Sequence, residues 1–425
     1  MSDSLAVNMD ELLLAAAASG TATTGRKLVT FEPGAEGAAM AAFTSRAGMR
    51  VAQSGDFNGH ALDFEALGDA NAVMLTEIGV AVLSAPEDQM GFVLAADDMS
   101  PAGMVIEDEY FVFSCGMDIH SYLKGFRSAA DRITGDLLEG LGEVREEPSA
   151  EAVGATWGLT ATKALNSRFS GAGIRVAILD TGIDLRHPDF AGRSISSQSF
   201  IAGQAVQDLH GHGTHCCGTS CGTKTPPGST PRYGIAHQAM IFAGKVLSNA
   251  GSGADGGILS GINWAIANNC SVISMSLGAQ GPVSAAYEQA AQRGLAAGTL
   301  IVAASGNDST RPGVIKPTSR PANSPSIVAV AALNDQLRVA PFSNGGKIEI
   351  AGPGVNVFSS FPMPQRYNTL SGTSMATPHV AGCAALLAQS NPSLRGAALR
   401  QALLARARRL PLPATDVGAG LVQAP

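Results

Sequence analysis

Leu370-Ser371-Gly372-Thr373-Ser374-Met375-Ala376-Thr377-Pro378-His379-Val380-Ala381-Gly382 sets a serine at the head of a run of small and apolar residues. Alone, its Gly-Thr-Ser start reads as a helix cap. Two upstream segments change that reading. Arg175-Val176-Ala177-Ile178-Leu179-Asp180-Thr181-Gly182 is an apolar run ending in a carboxylate and a glycine turn, the pattern of a buried parallel strand delivering Asp180 at its end. His210-Gly211-His212-Gly213-Thr214-His215-Cys216-Cys217 combines small residues, which permit close approach, with a helix start at His212.

Acyl transfer needs a hydroxyl nucleophile, an imidazole that takes and returns its proton, and a carboxylate that holds the imidazole in one tautomer. Ser374, His212 and Asp180 supply these three groups. The chain order Asp, His, Ser excludes the orders found in chymotrypsin and the α/β-hydrolases. Singly, a strand-end Asp is usually a turn residue and a Gly-His-Gly run a loop. Their joint occurrence in this order makes the catalytic reading the economical one.

These motifs resemble those of the subtilisin-like serine peptidases, over roughly residues 155–425. The resemblance implies a subtilisin-like three-layer α/β fold with a mostly parallel central sheet, and a serine endopeptidase acting through an acyl-Ser374 intermediate. It implies that Asn307, in Val302-Ala303-Ala304-Ser305-Gly306-Asn307-Asp308, shares an oxyanion with the Ser374 N–H. It further implies that Gly251-Ser252-Gly253 and Ser276-Leu277-Gly278 pair with an extended peptide by strand addition. From the residues alone, both are equally well glycine-containing loops that end strands. Asp308 and Arg320 fall near the expected S1 pocket, where they either select a charged P1 side chain or neutralise each other. No cofactor is required by this chemistry. Calcium is a common ligand of the family, and Asp189 matches one of its carboxylates, but Gly222–Arg232, expected to complete the site, offers Lys224, Pro226, Pro227 and Arg232 and no carboxylate. A surface Asp189 without metal is the preferred expectation.

Apolar runs alternate with helical patterns from Gly173 onward. Strands are expected at 174–179, 239–247, 270–276, 299–304, 327–332 and 347–351, and helices near 212–222, 257–268, 283–297, 374–389 and 394–407. Such alternation gives a parallel sheet with helices on both faces, and the catalytic candidates then fall at strand ends and helix starts.

The first part of the chain differs in character. Residues 1–150 carry 8 basic and 24 acidic side chains, against 20 and 11 in 151–425, so the two parts have opposite net charge. Residues 1–25 read as a flexible N-terminus, 26–115 as a small α+β domain, 116–153 as a helical and acidic linker, and 154–425 as the catalytic domain. Strands are expected at 27–31, 49–52, 72–84 and 104–114, and helices at 35–47 and 87–96, a ferredoxin-like order. Placed before a peptidase, this domain resembles an inhibitory, folding-assisting propeptide; the alternative is an unrelated binding domain. Ile119, Tyr122, Leu123, Phe126, Ala130, Ile133, Leu137 and Leu141 recur at helical spacing in the linker, and Glu143–Pro148 reads as an exposed tether.

The 425-residue length predicts two domains, and no run of eighteen apolar residues suggests a membrane span. Met1–Ala15 lacks a basic segment before its apolar stretch, which predicts cytoplasmic synthesis without a signal peptide, with nonclassical export as the alternative. The six cysteines show neither metal spacing nor the density of a disulfide scaffold, and Cys216 falls one helical turn after His212, beneath the imidazole. Some relatives carry a cysteine there, which implies sensitivity to mercurials, the alternative being an inert small core residue; Met375 beside the nucleophile predicts sensitivity to peroxide. Arg400, Arg406, Arg408 and Arg409 read as a solvated or prodomain-facing helix surface, and nothing points to nucleic acid. Two other readings stay open: a macrocyclase or ligase in which an amine intercepts the acyl-enzyme, and a silent binding module whose first domain never leaves.

Overall fold

The computed structural model describes residues 5, 8–64, 66–84, 104–114 and 154–425. The N-terminal part comprises α1 (Met9–Ser19), β1 (Thr23–Thr30), α2 (Glu36–Ala41), β2 (Val51–Gln53), β3 (Ala72–Leu75), β4 (Val80–Leu83) and β5 (Val105–Ser114). Its strands lie in the order β5-β1-β4-β3-β2, antiparallel except for the short β2, which runs parallel to β3. Side-chain alternation splits the sheet into two faces. Val29, Phe31, Met74, Ala81 and Leu83 pack under Ala39 and Phe43, whereas Leu28, Val73, Leu75, Val80 and Val82 turn toward the second domain.

Several expectations change here. The stretch read as a flexible N-terminus contains α1, started by Asn8, whose Oδ1 accepts from the Asp10 N–H at 2.9 Å, and ended by Gly20 at φ 68°. Met9, Leu13 and Ala16 anchor it by burial against Phe111, Phe113 and Ala254. The run 72–84 is not one strand but a hairpin, turned at Gly79 with φ 65°. The expected helix 35–47 continues beyond α2 as a π-helical turn at Ala42–Arg46. The helix expected at 87–96, the linker helix and the Glu143–Pro148 tether lie outside the described residues.

The second part begins with α3 (Trp157–Ala161), β6 (Arg175–Asp180), β7 (Ile195–Ser199), α4 (His212–Cys221), β8 (Met240–Lys245), β9 (Ser252–Ala254) and α5 (Asp255–Ala267). It continues through β10 (Val272–Met275), β11 (Leu277–Gly278), α6 (Ala285–Ala297), β12 (Leu300–Ala304), β13 (Val328–Leu333) and β14 (Ile350–Pro353). The hairpin β15 (Val357–Ser360) and β16 (Tyr367–Leu370) leads into α7 (Thr373–Ser390), α8 (Gly396–Arg406) and α9 (Ala414–Val417). Seven strands form one parallel sheet in the order β14-β13-β12-β10-β6-β8-β7. All of its strands but the edge strand β7 are buried on both faces, which is why they read as near-continuous apolar runs. Val176, Ile178, Val272 and Val302 meet α4, α7 and α8 on one side. Ala177, Leu179, Ile273 and Ala303 meet α5 and α6 on the other.

Besides α1 and the short helices α3 and α9, the strands β7, β15 and β16 escaped the sequence reading. β7 is Ile-Ser-Ser-Gln-Ser at the sheet edge, and β15–β16 is a half-exposed hairpin; neither needs an apolar run.

The first domain rests its Leu28/Val82 face on α5 and α6, in one continuous apolar cluster with Ile258, Leu259, Ile262 and Ala290. Gln289 Nε2 donates to the carbonyls of Phe31 and Ile78, both at 3.1 Å, and Arg293 pairs with Glu36 at 3.3 Å. Among the described residues, no helix is long and apolar enough to cross a membrane.

Candidate active site

β6 ends at the sheet's carboxyl edge and presents Asp180; α4 starts opposite and presents His212 from its first turn. Gly213 permits this approach, since a Cβ there would lie 2.3 Å from the Gly182 carbonyl oxygen. His212 Nδ1 sits 2.8 Å from Asp180 Oδ1, both residues buried. The same Oδ1 accepts from the Thr181 N–H at 2.7 Å. A carboxylate on Nδ1 fixes the tautomer that leaves Nε2 as the base.

Ser374 is the second residue of α7, after Gly372. Its hydroxyl donates to the Ser276 carbonyl at 3.1 Å, while its own carbonyl accepts from Ser276 Oγ at 2.7 Å. Cys216 Sγ, 3.9 Å from His212 Nδ1, also donates to the Ser374 carbonyl at 3.7 Å. The thiol therefore lies beneath the imidazole, as its helical spacing predicts. Burial pushes the Cys216 thiol up to about 11, with the nearby His212 pulling the other way, so it is a neutral packing group at working pH.

Asn307 follows β12. Its Oδ1 accepts from the Thr373 N–H and hydroxyl, both at 2.8 Å, which fixes the amide plane and directs Nδ2 to the other side. That nitrogen is 3.4 Å from where a Cβ on Gly372 would stand. The Asn307 amide thus lies against the start of α7 that carries Ser374.

The two segments expected to pair with a peptide are paired with the chain's own β5. β5 runs antiparallel to β9, with Phe111 opposite Ala254, Val112 opposite Gly253 and Phe113 opposite Ser252. On its other edge Phe113 faces Gly278 and Ser114 faces Leu277. The Ser114 N–H donates to the Gly251 carbonyl at 2.8 Å. Ser276 lies one residue further along, carrying the carbonyl that holds the Ser374 hydroxyl.

Arg320 and Asp308 do not neutralise each other. Arg320 is buried and pairs with Asp255 at 2.9 Å, its guanidinium 4.5 Å from the Tyr110 ring centroid. Asp308 Oδ2 instead accepts from Asn344 Nδ2 at 2.7 Å and Gln280 Nε2 at 3.0 Å. Nor is Asp189 on the surface: it is buried, and its carboxylate accepts from the Tyr233 hydroxyl and from Tyr367 OH at 3.1 and 3.2 Å. Both carboxylate oxygens accept from phenol donors.

The sequence reading passed over Asp208, Thr181 and Lys245. Asp208 is fully buried between Thr181 and the start of α4. Lys245 donates to the Thr181 carbonyl at 2.6 Å and to Asn249 Oδ1 at 2.9 Å. Burial lowers its ammonium to about 8, against the pull of Asp208 and Asp180.

A parallel α/β sheet with an acid at one strand end, a histidine and a serine at two facing helix starts, and an amide beside the serine defines a serine hydrolase. Residues 171–421 match the subtilase family, Peptidase S8, and the chain belongs to it. Subtilisin DY of Bacillus licheniformis is 38% identical over 255 residues, 59% of this chain and 90% of that protein. Subtilisin Savinase of Lederbergia lenta is 42% identical over 274 residues, 63% of this chain and 96% of that one. Among solved structures, a cold adapted subtilisin-like serine proteinase is similar with a TM-score of 0.54 and 32% identity, covering 63% of this chain and 96% of that one. The chain is a serine endopeptidase acting on peptides or proteins.

Proposed function

We propose that this endopeptidase is made as a zymogen whose first domain occupies its own substrate cleft. Ser374 attacks the scissile carbonyl, His212 takes the hydroxyl proton and returns it to the leaving amine, Asp180 holds the imidazole, and Asn307 with the Ser374 N–H receives the oxyanion. The observation that carries the latent state is the seating of β5 between β9 and β11, with its chain direction leading from Ser114 toward Ser276 and Ser374. Cleavage then falls shortly after Ser114. Glu107 and Glu109 support this reading: Glu107 accepts from Ala285 N and Ala286 N, both at 3.1 Å, at the start of α6, and Glu109 Oε1 accepts from Gly256 N at 2.8 Å, at the start of α5. Two carboxylates of the acidic domain thus cap two helices of the catalytic domain. The hydrolysis needs no metal.

Intact masses of freshly purified wild type and Ser374→Ala, followed over time, test the proposal. Conversion of wild type alone into two fragments, the smaller ending a few residues beyond Ser114, is expected. If both chains stay whole, self-maturation is wrong and permanent tethering or processing by another peptidase takes its place.

A further inference from the structure

Asp180 depends on its neighbours for its aim. Its Oδ1 bonds Thr181 N and His212 Nδ1, while its buried Oδ2 has no hydrogen-bond partner among the described residues. The relative placement of Thr181 and the first turn of α4 therefore sets the Asp180–His212 geometry. One side chain spans these two segments. Asp208 Oδ1 accepts from Thr181 Oγ1 at 2.9 Å, His210 N at 3.0 Å and Gly211 N at 2.8 Å, and its Oδ2 accepts from Thr214 N at 2.8 Å and Thr214 Oγ1 at 2.7 Å. Thr181 Oγ1 in turn accepts from Gly213 N at 2.8 Å, closing the ring. Five donors converge on a carboxylate with no exposed surface, and they flank His212 on both sides in sequence.

We propose that Asp208 is a positioning residue of the catalytic triad, locking Thr181 to the α4 start, and that its buried charge stabilises the His212 imidazolium formed during turnover. The proposal rests on the Asp180–His212–Ser374 reading above. Its charge lies at the α4 N-terminus, where an anion is already favoured by the helix dipole and by unpaired backbone N–H groups. Cationic Lys245 balances part of it, bonded through the Thr181 carbonyl. The other titratable groups around His212 are held toward their neutral forms by burial. Burial drives His215 on α4 down to about 3 and His379 on α7 down to about 4, lowers His210 in the preceding loop, and raises Cys216 to about 11. The remaining ionisable groups beside His212 are Asp180, Lys245 and Asp208, the last held by five donors.

Asp208→Asn keeps the shape, removes the charge and turns an NH2 toward N–H donors. Peptide-amide hydrolysis is measured per titrated Ser374, with kcat and KM separated and kcat/KM followed against pH. Misplacement of the imidazole lowers kcat by roughly 10- to 100-fold with KM nearly unchanged. Loss of the anion moves the acid limb of kcat/KM to lower pH by about half a unit to one unit. A kcat loss with an unmoved acid limb would reduce Asp208 to scaffold and overturn the electrostatic role; wild-type kcat in a folded Asp208→Asn would overturn the positioning role. If Asp208→Asn does not fold, Thr181→Val breaks the link without removing charge. It is expected to lower kcat severalfold with the acid limb in place, and wild-type kcat there would equally overturn the proposal. Activity surviving in Ser374→Ala would sink the triad reading itself, separately from Asp208.

Discussion

Glu107→Ala is the sharpest probe of the domain interface. Along β5, Glu107 and Glu109 face the catalytic domain and Asp108 faces away, pairing with Lys27. The Glu107 carboxylate accepts from the Ser284 hydroxyl and from Ala285 N and Ala286 N at the α6 start. α6 has its own cap as well, because Ser284 Oγ accepts from Tyr287 N at 3.3 Å. Removing Glu107 thus leaves the helix formed but strips charge-assisted bonds that exist only when the domains are docked. Hydrogen bonds to a charged group contribute about 1.5–3 kcal/mol as a net term. Treating the carboxylate as one non-additive unit near 2–3 kcal/mol raises the inhibition constant roughly 30- to 150-fold. The comparison is Asp108→Ala, a partly exposed pair expected to contribute less than about 1 kcal/mol, or roughly fivefold. Residues 1–115 bearing each change are titrated in trans against matured enzyme at low salt, with a chromogenic peptide as reporter. An inhibition constant for Glu107→Ala within threefold of wild type, or no larger than that of Asp108→Ala, would refute the interface reasoning.

Asn307→Ala is expected to lower kcat about 10²–10³-fold with little change in KM, a magnitude carried over from subtilisin's own oxyanion donor; steady-state kinetics at saturating substrate decide it. Deleting residues 1–20 removes Met9, Leu13 and Ala16 from Phe111, Phe113 and Ala254, and the uncut chain should then leak activity at least about tenfold faster, given roughly 1.5–3 kcal/mol per large buried side chain. Because burial raises the Cys216 thiol to about 11, its thiolate is scarce near neutrality, so iodoacetamide should spare activity at pH 7–8 and label Cys216 only as the pH approaches that value. EDTA should leave the melting temperature unchanged, whereas Tyr367→Phe should lower it without rescue by calcium; a calcium-dependent rise that disappears in Asp189→Asn would show that Asp189 is a ligand after all.

The parallel sheet was legible because its strands are buried on both faces, so Val176 to Leu179 and Leu300 to Ala304 had to be apolar whatever else they did. Asp180, His212, Ser374 and Asn307 could be singled out because acyl transfer demands particular residue types beside small ones that let backbones meet, and the fold brings Asp180 onto His212 and Asn307 onto the start of α7. Asp208 carries no such local signature. Its role arises from donors on Thr181, Gly211 and Thr214 that converge only after folding. Asp189 was misread as a surface residue for the same reason, since its partners Tyr233 and Tyr367 are remote in sequence. Whether Arg320 pairs with Asp308 was left open by the resemblance that put both near the expected S1 pocket, because its partner, the buried carboxylate of Asp255, is remote in sequence. The N-terminal helix was missed because its buried stripe Met9, Leu13 and Ala16 is masked by apolar residues on the other faces, Leu14, Ala15, Ala17 and Ala18; the surfaces it covers, on Phe111 and Phe113, belong to another element.

β5 has a further consequence for the timing of activity. It is hydrogen-bonded to β1 through its first half and to β9 and β11 through its last four residues, so the two domains share one continuous ribbon of backbone bonds. If the chain is cut after this strand as proposed, one end is freed and none of those bonds is broken by the cut itself. Release would then have to open the ribbon pair by pair from the cut end, so the delay between cutting and activity would be set by backbone pairing rather than by the cut.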